Sequence, residues 1–357
     1  MKKLRILITS TSNPETNPRP MKLKKALQSM GHQVGTYWIR PRSRPRFLRQ
    51  ISSLIRTLRL AFNLENYDVL HLVDGWDLGL VPFIVSTKPI VFDIRSLWPF
   101  VGRRRSNDLG ARILSYFRGL VTRRIVGFSD HVTTVDPHLA REVKRMKPKS
   151  LTYLRNLPSK DMFHEVPFAS DSSTIDFGWI GSIDPNRRVC QLLKAWKAFV
   201  EEQDKDCRLW VYGWPSTDKK YFREEISPFF SLDTVNHVDR VPFDEIPFHY
   251  REMDFIVAPN AGDHWQLKLG EAIAAQVPLI VRHGKLHHKL IGDLGVVYFY
   301  STSKETDVPA ILAALHEAAD NLDRLKSEAK EKTPPYWEDD VRRLVEVYKR
   351  LVTKSYS

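Results

Sequence analysis

Short apolar runs alternate along the chain with longer segments in which apolar residues recur every three or four positions. The short runs predict buried strands, and the longer segments predict helices with one apolar face. In the first half the predicted strands are 4–9, 34–39, 69–73, 90–93 and 131–135, and the predicted helices are 22–30, 47–62 and 110–126. In the second half the predicted strands are 177–180, 209–212, 255–258, 279–281 and 296–299, and the predicted helices are 189–202, 219–227, 245–252, 267–275, 308–329 and 337–353. This alternation is typical of parallel, doubly wound sheets.

A polar stretch that contains proline interrupts the alternation near the middle of the chain. A length of 357 residues also suits two domains. We therefore predict an α/β protein with two domains in tandem and ligands at the carboxyl ends of the strands, in the cleft between the domains. The predicted boundaries are a first domain at 1–160, a linker at 161–174, a second domain at 175–334 and a last helix within 335–357.

The composition is that of a folded, water-soluble protein. A hydrophobic fraction of 42% excludes a disordered chain, and two cysteines exclude a disulfide scaffold and are too few for a zinc site. The N-terminal apolar run, 4–8, is too short for a signal peptide, and no apolar stretch reaches the ~18 residues of a membrane span. We expect a cytoplasmic protein, with a peripheral place on the inner face of the membrane as a further expectation.

Charge divides the chain into two unequal parts. Residues 1–165 contain 30 Lys and Arg against 12 Asp and Glu, whereas residues 166–357 contain 25 against 30. The basic part includes the segment 40–60, in which arginines precede and line the predicted helix 47–62. Such a helix can lie on an anionic membrane, or it can pack on its own sheet with its arginines in solvent; the sequence leaves both open. Nucleic acid is not expected, because no nucleic-acid-binding signature is present.

Two carboxylates flank the start of the predicted helix 267–275. They are Asp263 and Glu271, in the segment PNAGDHWQLKLGEAIAAQVPLIV at 259–281. A carboxylate at a helix N-terminus can accept hydrogen bonds from sugar hydroxyls, while the helix amides attract phosphate. The alternative interpretation is that both acids only favour the helix dipole.

This segment resembles the donor site of the retaining group 1 (family 4) glycosyltransferases, which have the GT-B fold. The resemblance implies two Rossmann-like domains facing a cleft and a C-terminal helix that crosses back to the first domain. It also implies that Asp263 is catalytic and holds donor-sugar hydroxyls, and that Glu271 holds the nucleotide ribose. Asp263 stands where the family has Glu, and Gln276 stands where it has Gly.

A second segment, FGWIGSIDPNRRV at 177–189, resembles the stretch with which this family clamps the donor diphosphate. Gly181 matches the pattern, Ser182 replaces the usual Arg, and Arg187 replaces the usual Lys. Cations and amides are what a diphosphate requires, so we expect it to contact these three residues, Lys268 and the helix start at Leu267. For the two cations the alternative is a solvated surface position.

The first domain matches the family loosely. The loop 11–20 lacks the family's glycines, and Arg19 is the residue there that could supply positive charge to the donor. Asp74, predicted to follow a strand, is a candidate general base, or else a turn or N-cap residue. Arg95 and Trp98 lie in DIRSLWP, which resembles the region that faces acceptors; core packing is the alternative for Trp98.

The predicted function is transfer of a hexosyl group from a nucleotide sugar to a saccharide or lipid-linked acceptor. UDP- and GDP-sugars are the first candidates for the donor. We expect no further cofactor and no metal, because the sequence has no His/Cys spacing for one. The place of such an enzyme would be in surface polysaccharide or glycolipid biosynthesis. Two alternatives remain: a non-catalytic sugar- or anion-binding GT-B protein, and a GT-B-fold sugar-nucleotide epimerase.

Overall fold

The computed structural model describes residues 3–10, 19–38, 66–73, 87–95, 109–163, 173–215, 219–239, 241–242, 245–260, 266–303 and 305–355. The chain divides into two compact units. The first unit comprises Met1–Arg155 together with Glu338–Ser357, and the second unit comprises Asn156–Trp337.

The first unit is built on a six-stranded parallel sheet. Its strands are β1 (Arg5–Ser10), β2 (Gln33–Trp38), β3 (Val69–Val73), β4 (Ile90–Ile94), β5 (His131–Thr134) and β6 (Leu151–Tyr153). They lie in the order β2-β1-β3-β4-β5-β6. Strands β3, β4 and β5 are buried along their whole length, because helices cover both faces of a sheet of this kind.

The second unit has a six-stranded parallel sheet of its own. Its strands are β7 (Ile175–Ile180), β8 (Cys207–Tyr212), β9 (Val235–Val238), β10 (Phe255–Ala258), β11 (Leu279–Arg282) and β12 (Val296–Phe299). The order is β12-β11-β10-β7-β8-β9. The core is aromatic at its centre: Phe177 lies 5.1–5.7 Å, between ring centroids, from Trp196, Phe199 and Phe255.

The described helices of the first unit are α1 (Arg19–Ser29), α2 (Leu109–Phe128) and α3 (Pro137–Lys144). Those of the second unit are α4 (Lys160–Phe163), α5 (Val189–Glu202), α6 (Lys219–Tyr221), α7 (Ile246–Arg251), α8 (Leu267–Ala275), α9 (Lys285–Ile291), α10 (Asp307–Asp320) and α11 (Leu322–Glu331). None of the described helices has the length and apolar composition that crossing a bilayer requires. The predicted helix 47–62 lies outside the described residues.

Two predicted helices differ from the observed ones. The predicted helix 308–329 is two helices, because Asn321 leaves helical geometry at φ −113° and its side-chain amide donates to the carbonyl of Glu317 at 2.8 Å. Local bonds of this kind compete with the helix backbone. The predicted helix 219–227 is one α-helical turn followed by a π-helical segment and a 3₁₀ segment. Pro228, which has no N–H to donate, accounts for the break.

The C-terminal helix, α12 (Trp337–Ser355), belongs to the first unit from Glu338 onward. Its buried carboxylate Asp340 forms an ion pair with Arg155 at 2.8 Å and also accepts the Arg155 backbone N–H. Further along, Tyr348 shares a 2.7 Å hydrogen bond with His71 of β3. The last helix of the chain therefore packs on the unit in which the chain begins.

Candidate active site

The strand order of the second sheet defines where a ligand is expected. The chain runs from β7 through β8 to β9, returns to the other side of β7 and continues from β10 to β12. In sheets of this order, ligands bind beyond the carboxyl ends of the two strands at which the direction reverses. Here those strands are β7 and β10, so Gly181 and Asn260 stand at the expected position.

The loops after β7 and β8 form one continuous surface. A Cβ atom on Gly213 would lie 2.0 Å from the carbonyl oxygen of Gly181, so this close approach requires glycine. Gly181 itself has φ +151°, a conformation that side chains disfavour. The Ile183 N–H donates to the carbonyl of Trp214 at 2.9 Å and joins the two loops.

Ser182 and Arg187 lie on this joined surface, on either side of a short turn. Asp184 caps the turn by accepting the Asn186 N–H at 2.9 Å. The Arg187 guanidinium lies 3.4 Å from the same carboxylate, and about a third of its side chain is exposed. The turn thus presents one half-buried cation beside the half-buried Ser182 hydroxyl.

Lys268, in the first turn of α8, is the main electrostatic feature of this edge. Its side chain is 7% exposed, and its ammonium lies 5.0 Å from the centroid of the Trp179 ring. Burial, and then the charge of Arg187, hold the pKa of Lys268 well below its usual value, whereas Asp184 opposes the shift. In the part of the chain that the structure describes, no carboxylate is paired with this ammonium. The site therefore holds two cations close together and is well suited to an anion.

One turn further along α8, Glu271 is also buried. The hydroxyl of Tyr250, from α7, donates to its Oε2 at 2.9 Å. Burial, and then the negative charge of Glu271, raise the pKa of Tyr250 well above its usual value, so the phenol remains a donor. The tyrosine fixes the orientation of a carboxylate that lies three residues from Lys268.

Several buried polar atoms around this edge lack a hydrogen-bond partner. Among the described residues these are Trp179 Nε1, Asn260 Oδ1, and both Gln266 Nε2 and Oε1. Buried polar atoms are normally paired in proteins, so a ligand bound at this edge would complete the hydrogen bonding of these four.

The structure therefore brings six predicted residues to the same edge of the second sheet: Gly181, Ser182, Arg187, Leu267, Lys268 and Glu271. Asp263 lies in 261–265, outside the described residues. In the described part of the chain, no three His, Cys, Asp or Glu side chains are grouped as ligands for a metal ion.

Arg19, predicted to face the donor, has an interior position in the first unit. It is 5% exposed and forms two hydrogen bonds to Asp93, at 2.6 and 3.0 Å. Thr133 donates to the same carboxylate at 2.8 Å. The positive charge of Arg19 thus neutralises a buried acid, and it holds the pKa of Asp93 below its usual value against the effect of burial.

Arg95, half-buried, follows β4 directly and so lies at the carboxyl edge of the first sheet. Asp74 and Trp98 lie outside the described residues, as does the basic segment 40–60.

Three aromatic residues of the site were not predicted from the sequence: Trp179, Tyr250 and Trp214. Trp179 lies in the predicted strand 177–180, where the sequence gives it no sign of a ligand contact, and the contact of Tyr250 with Glu271 depends on the packing of α7 on α8. Trp214, at the carboxyl end of β8, is 41% exposed. A Trp directly after a predicted strand and a glycine was a signal that the sequence offered.

Comparisons with known proteins find a family match for most of the second unit. Residues 174–320 match the family described as glycosyl transferases group 1. No curated protein matches the chain by sequence.

Solved structures match nearly the whole chain. Sucrose-phosphate synthase from Thermosynechococcus elongatus has a TM-score of 0.74 at 15% identity and covers 99% of this chain and 100% of its own. HepE from Anabaena, in complex with UDP and glucose, has a TM-score of 0.69 at 11% identity, with 97% and 100% covered. The catalytic domain of starch synthase IV from Arabidopsis thaliana, bound to ADP and acarbose, has a TM-score of 0.68 at 13% identity, with 99% and 100% covered.

The predicted GT-B fold is thus confirmed. Together with the group 1 match over the unit that carries the site, the fold identifies the chain as a glycosyltransferase. Transfer from a nucleotide sugar is the activity that these findings support.

Proposed function

We propose that the chain transfers a hexosyl group from a nucleoside diphosphate sugar to a hydroxyl of a saccharide or lipid-linked acceptor. The observation that carries this proposal is the buried Lys268 with the half-buried Arg187 near it, at the switch point of the second sheet, and the oriented carboxylate of Glu271 one turn away. A nucleoside diphosphate has an anionic diphosphate for the cations and a ribose diol for the carboxylate.

Each described group has a defined part in binding the donor. Lys268, Arg187 and the N–H groups at the start of α8 bind the diphosphate, with Ser182 as a further hydroxyl donor. Glu271 accepts hydrogen bonds from the ribose hydroxyls and is held in place by Tyr250. Trp214 offers its exposed ring to the nucleobase, because its loop adjoins the Gly181 loop.

During transfer the bond from the sugar C1 to the diphosphate oxygen breaks, and the acceptor oxygen bonds to C1 and loses its proton. The leaving diphosphate takes up the bonding electrons, so the fixed cations stabilise the transition state more than the bound donor. From the family resemblance we assign Asp263 to the donor-sugar hydroxyls, Asp74 to the acceptor proton, and Arg95 and Trp98 to the acceptor. Retention of configuration and metal independence complete the proposal.

The nucleotides bound by HepE and starch synthase IV, UDP and ADP, support a nucleotide donor here. UDP- and GDP-sugars remain the first candidates. An acceptor in surface polysaccharide or glycolipid biosynthesis agrees with the basic first half of the chain, and the segment 40–60 is the sequence's candidate for contact with an anionic membrane.

The test is thermal unfolding of the full chain with UDP-, GDP-, ADP- and TDP-sugars, followed by detection of the released nucleoside diphosphate. A ligand at a hundred times its Kd stabilises the folded state by ~2.7 kcal/mol. We expect one nucleotide to raise the Tm of the wild type. Glu271→Gln, which keeps an acceptor for Tyr250, should weaken its binding about tenfold or more.

The matched control is Glu201→Gln, at an exposed position near the end of α5, which should bind as the wild type does. Binding without product release in the presence of saccharide and lipid-linked acceptors would support a non-catalytic binding protein. An epimerised donor formed without acceptor would identify an epimerase. No binding of any nucleotide sugar would refute the proposal.

A further inference from the structure

Helix α2 is apolar on both of its faces. On the inner face Thr122, Ile125 and Val126 are buried in the first unit. The outer face carries an apolar stripe, which we define as Ile113, Tyr116, Phe117, Leu120 and Phe128. Steps of three and four residues place the first four on successive turns of one side of the helix. A surface helix normally has polar side chains on that side.

The first four residues of the stripe are grouped on one side of the helix, and Phe128 lies one turn beyond the exposed Arg124 on the same side. Of the 11 large hydrophobic side chains that are exposed in the described residues, five belong to this helix. Four of the five expose 48–58% of their surface. Patches of this kind in soluble proteins mark surfaces that another molecule or a membrane covers.

Exposed cations border the C-terminal end of the stripe. Arg123 and Arg124 lie on the same helix. The Lys149 ammonium lies 3.5 Å from the carbonyl oxygen of Phe128 and 3.0 Å from the Asp130 carboxylate, with which it forms a half-exposed ion pair. The sequence of α2 contains four arginines and no acidic residue. The exposed side chains of Arg141, Lys144, Arg145 and Lys147 precede Lys149 along the chain.

The charge of the first unit indicates what covers the patch. This unit contains 34 Lys and Arg against 14 Asp and Glu, whereas the second unit contains 21 against 28. A second copy seated on the stripe would bring two strongly basic units together, which is unfavourable. An anionic lipid leaflet offers an apolar layer for the stripe and phosphates for the cations.

We propose that α2 docks the first unit on an anionic membrane. The stripe enters the boundary between headgroups and acyl chains, where Tyr and Phe side chains are favoured, and Arg123, Arg124 and Lys149 contact lipid phosphates. This surface is distinct from the segment 40–60. It goes beyond the proposed function, because it stands or fails whether or not the chain binds a nucleotide sugar.

The test is co-sedimentation of the full chain with vesicles of phosphatidylcholine mixed with phosphatidylglycerol, and with vesicles of phosphatidylcholine alone. The wild type should bind the mixed vesicles and release them as salt rises, because ionic attraction is screened. The double variant Phe117→Ser with Leu120→Ser should bind about tenfold more weakly. The matched control is Leu294→Ser with Tyr300→Ser, two exposed apolar residues of the second unit.

Both double variants replace exposed side chains, so their Tm values should equal that of the wild type, which shows that folding is intact. The proposal is overturned if the wild type does not bind the mixed vesicles at low salt. It is also overturned if the stripe variant binds them as well as the control variant does. Sedimentation equilibrium tests whether a second copy of the chain covers the stripe instead. A wild-type dimer that the stripe variant abolishes would assign the patch to a second copy and overturn the membrane proposal.

Discussion

A single buried lysine distinguishes the carboxyl edge of the second sheet from the edge of an ordinary Rossmann-like unit. An ammonium in this position is costly, because burial removes its water and Arg187 adds a like charge. The protein keeps this unfavourable group at the place where a diphosphate would compensate for it. Residues that serve binding in this way often reduce the stability of the free protein.

We therefore predict that Lys268→Met makes the ligand-free protein more stable and a poorer nucleotide binder. The unfolding free energy at pH 7 should rise by about 1 kcal/mol, while nucleoside diphosphate affinity falls about tenfold or more. The folded-state pKa of Lys268 lies below the unfolded value, so in the pH interval between them only the unfolded chain holds the proton. Wild-type stability rises with pH in that interval, and the advantage of the variant should shrink as pH rises toward 10.5.

Urea unfolding at several pH values and titration calorimetry with a nucleoside diphosphate measure the two effects. Lys197→Met, at an exposed position on α5, is the control and should change neither. A Lys268→Met protein that is less stable and still binds the nucleotide would show that the lysine is a structural residue.

The terminal helix α12 shows how one element is attached through a single buried charge. Asp340 is fully buried and accepts three hydrogen bonds from Arg155, one of them from its backbone N–H. Its neighbour Asp339 pairs with Arg342 on the surface, where both side chains are at least half exposed. Two adjacent aspartates of one helix thus occupy opposite environments.

Asp340→Ala should lower the unfolding free energy by about 3 kcal/mol, because it leaves a guanidinium and a backbone N–H without their acceptor. Asp339→Ala, the control, should cost less than about 1 kcal/mol, since exposed ion pairs contribute little. Urea unfolding of the two variants makes the comparison. Equal effects would mean that the buried Asp340–Arg155 pair contributes no more to the attachment of α12 than an exposed pair does.

The elements differ in how far the sequence determines them. The amphipathic helix α5 has the predicted bounds, because its apolar periodicity is strong. Helix α8 also has the predicted bounds, although it is buried almost all round. The strands β6 and β9 were not predicted: LTY and VNHV are short edge segments with few buried side chains. Helix α9, KLHHKLI, was missed because seven residues give too few turns to show a period.

At the scale of the whole molecule, the sequence predicted which residues of one continuous segment lie close together. It did not predict contacts between segments that are distant along the chain. Glu271 and Lys268 share a helix and a family motif, so their proximity followed from the sequence. Tyr250 reaches Glu271 only because α7 packs on α8, and Arg19 reaches Asp93 across 74 residues. Charge partners of this kind are set by topology, which the local pattern of residues does not encode.

Two of the buried histidines of the first unit have a pKa far below the usual value. His71 and His131 are at most 1% exposed, and burial is the largest cause that lowers the pKa of each from 6.5 to about 4. His71 shares a hydrogen bond with Tyr348, and His131 bonds to Ser150 and Thr152. Between pH 6.5 and 4, the unfolded chain binds protons that the folded unit excludes, so stability falls as pH falls through this interval.

Between pH 7 and pH 5 we expect each histidine to remove about 2 kcal/mol from the unfolding free energy of the first unit. Hydrogen exchange of peptides from the two units, corrected for the intrinsic effect of pH, measures each unit separately. His131→Asn should flatten the pH dependence of the first unit, since its amide does not titrate. His288→Gln, at an exposed position of the second unit, should leave that dependence unchanged. A His131→Asn protein whose first unit loses as much protection between pH 7 and pH 5 as the wild type would show that His131 does not contribute to this acid sensitivity.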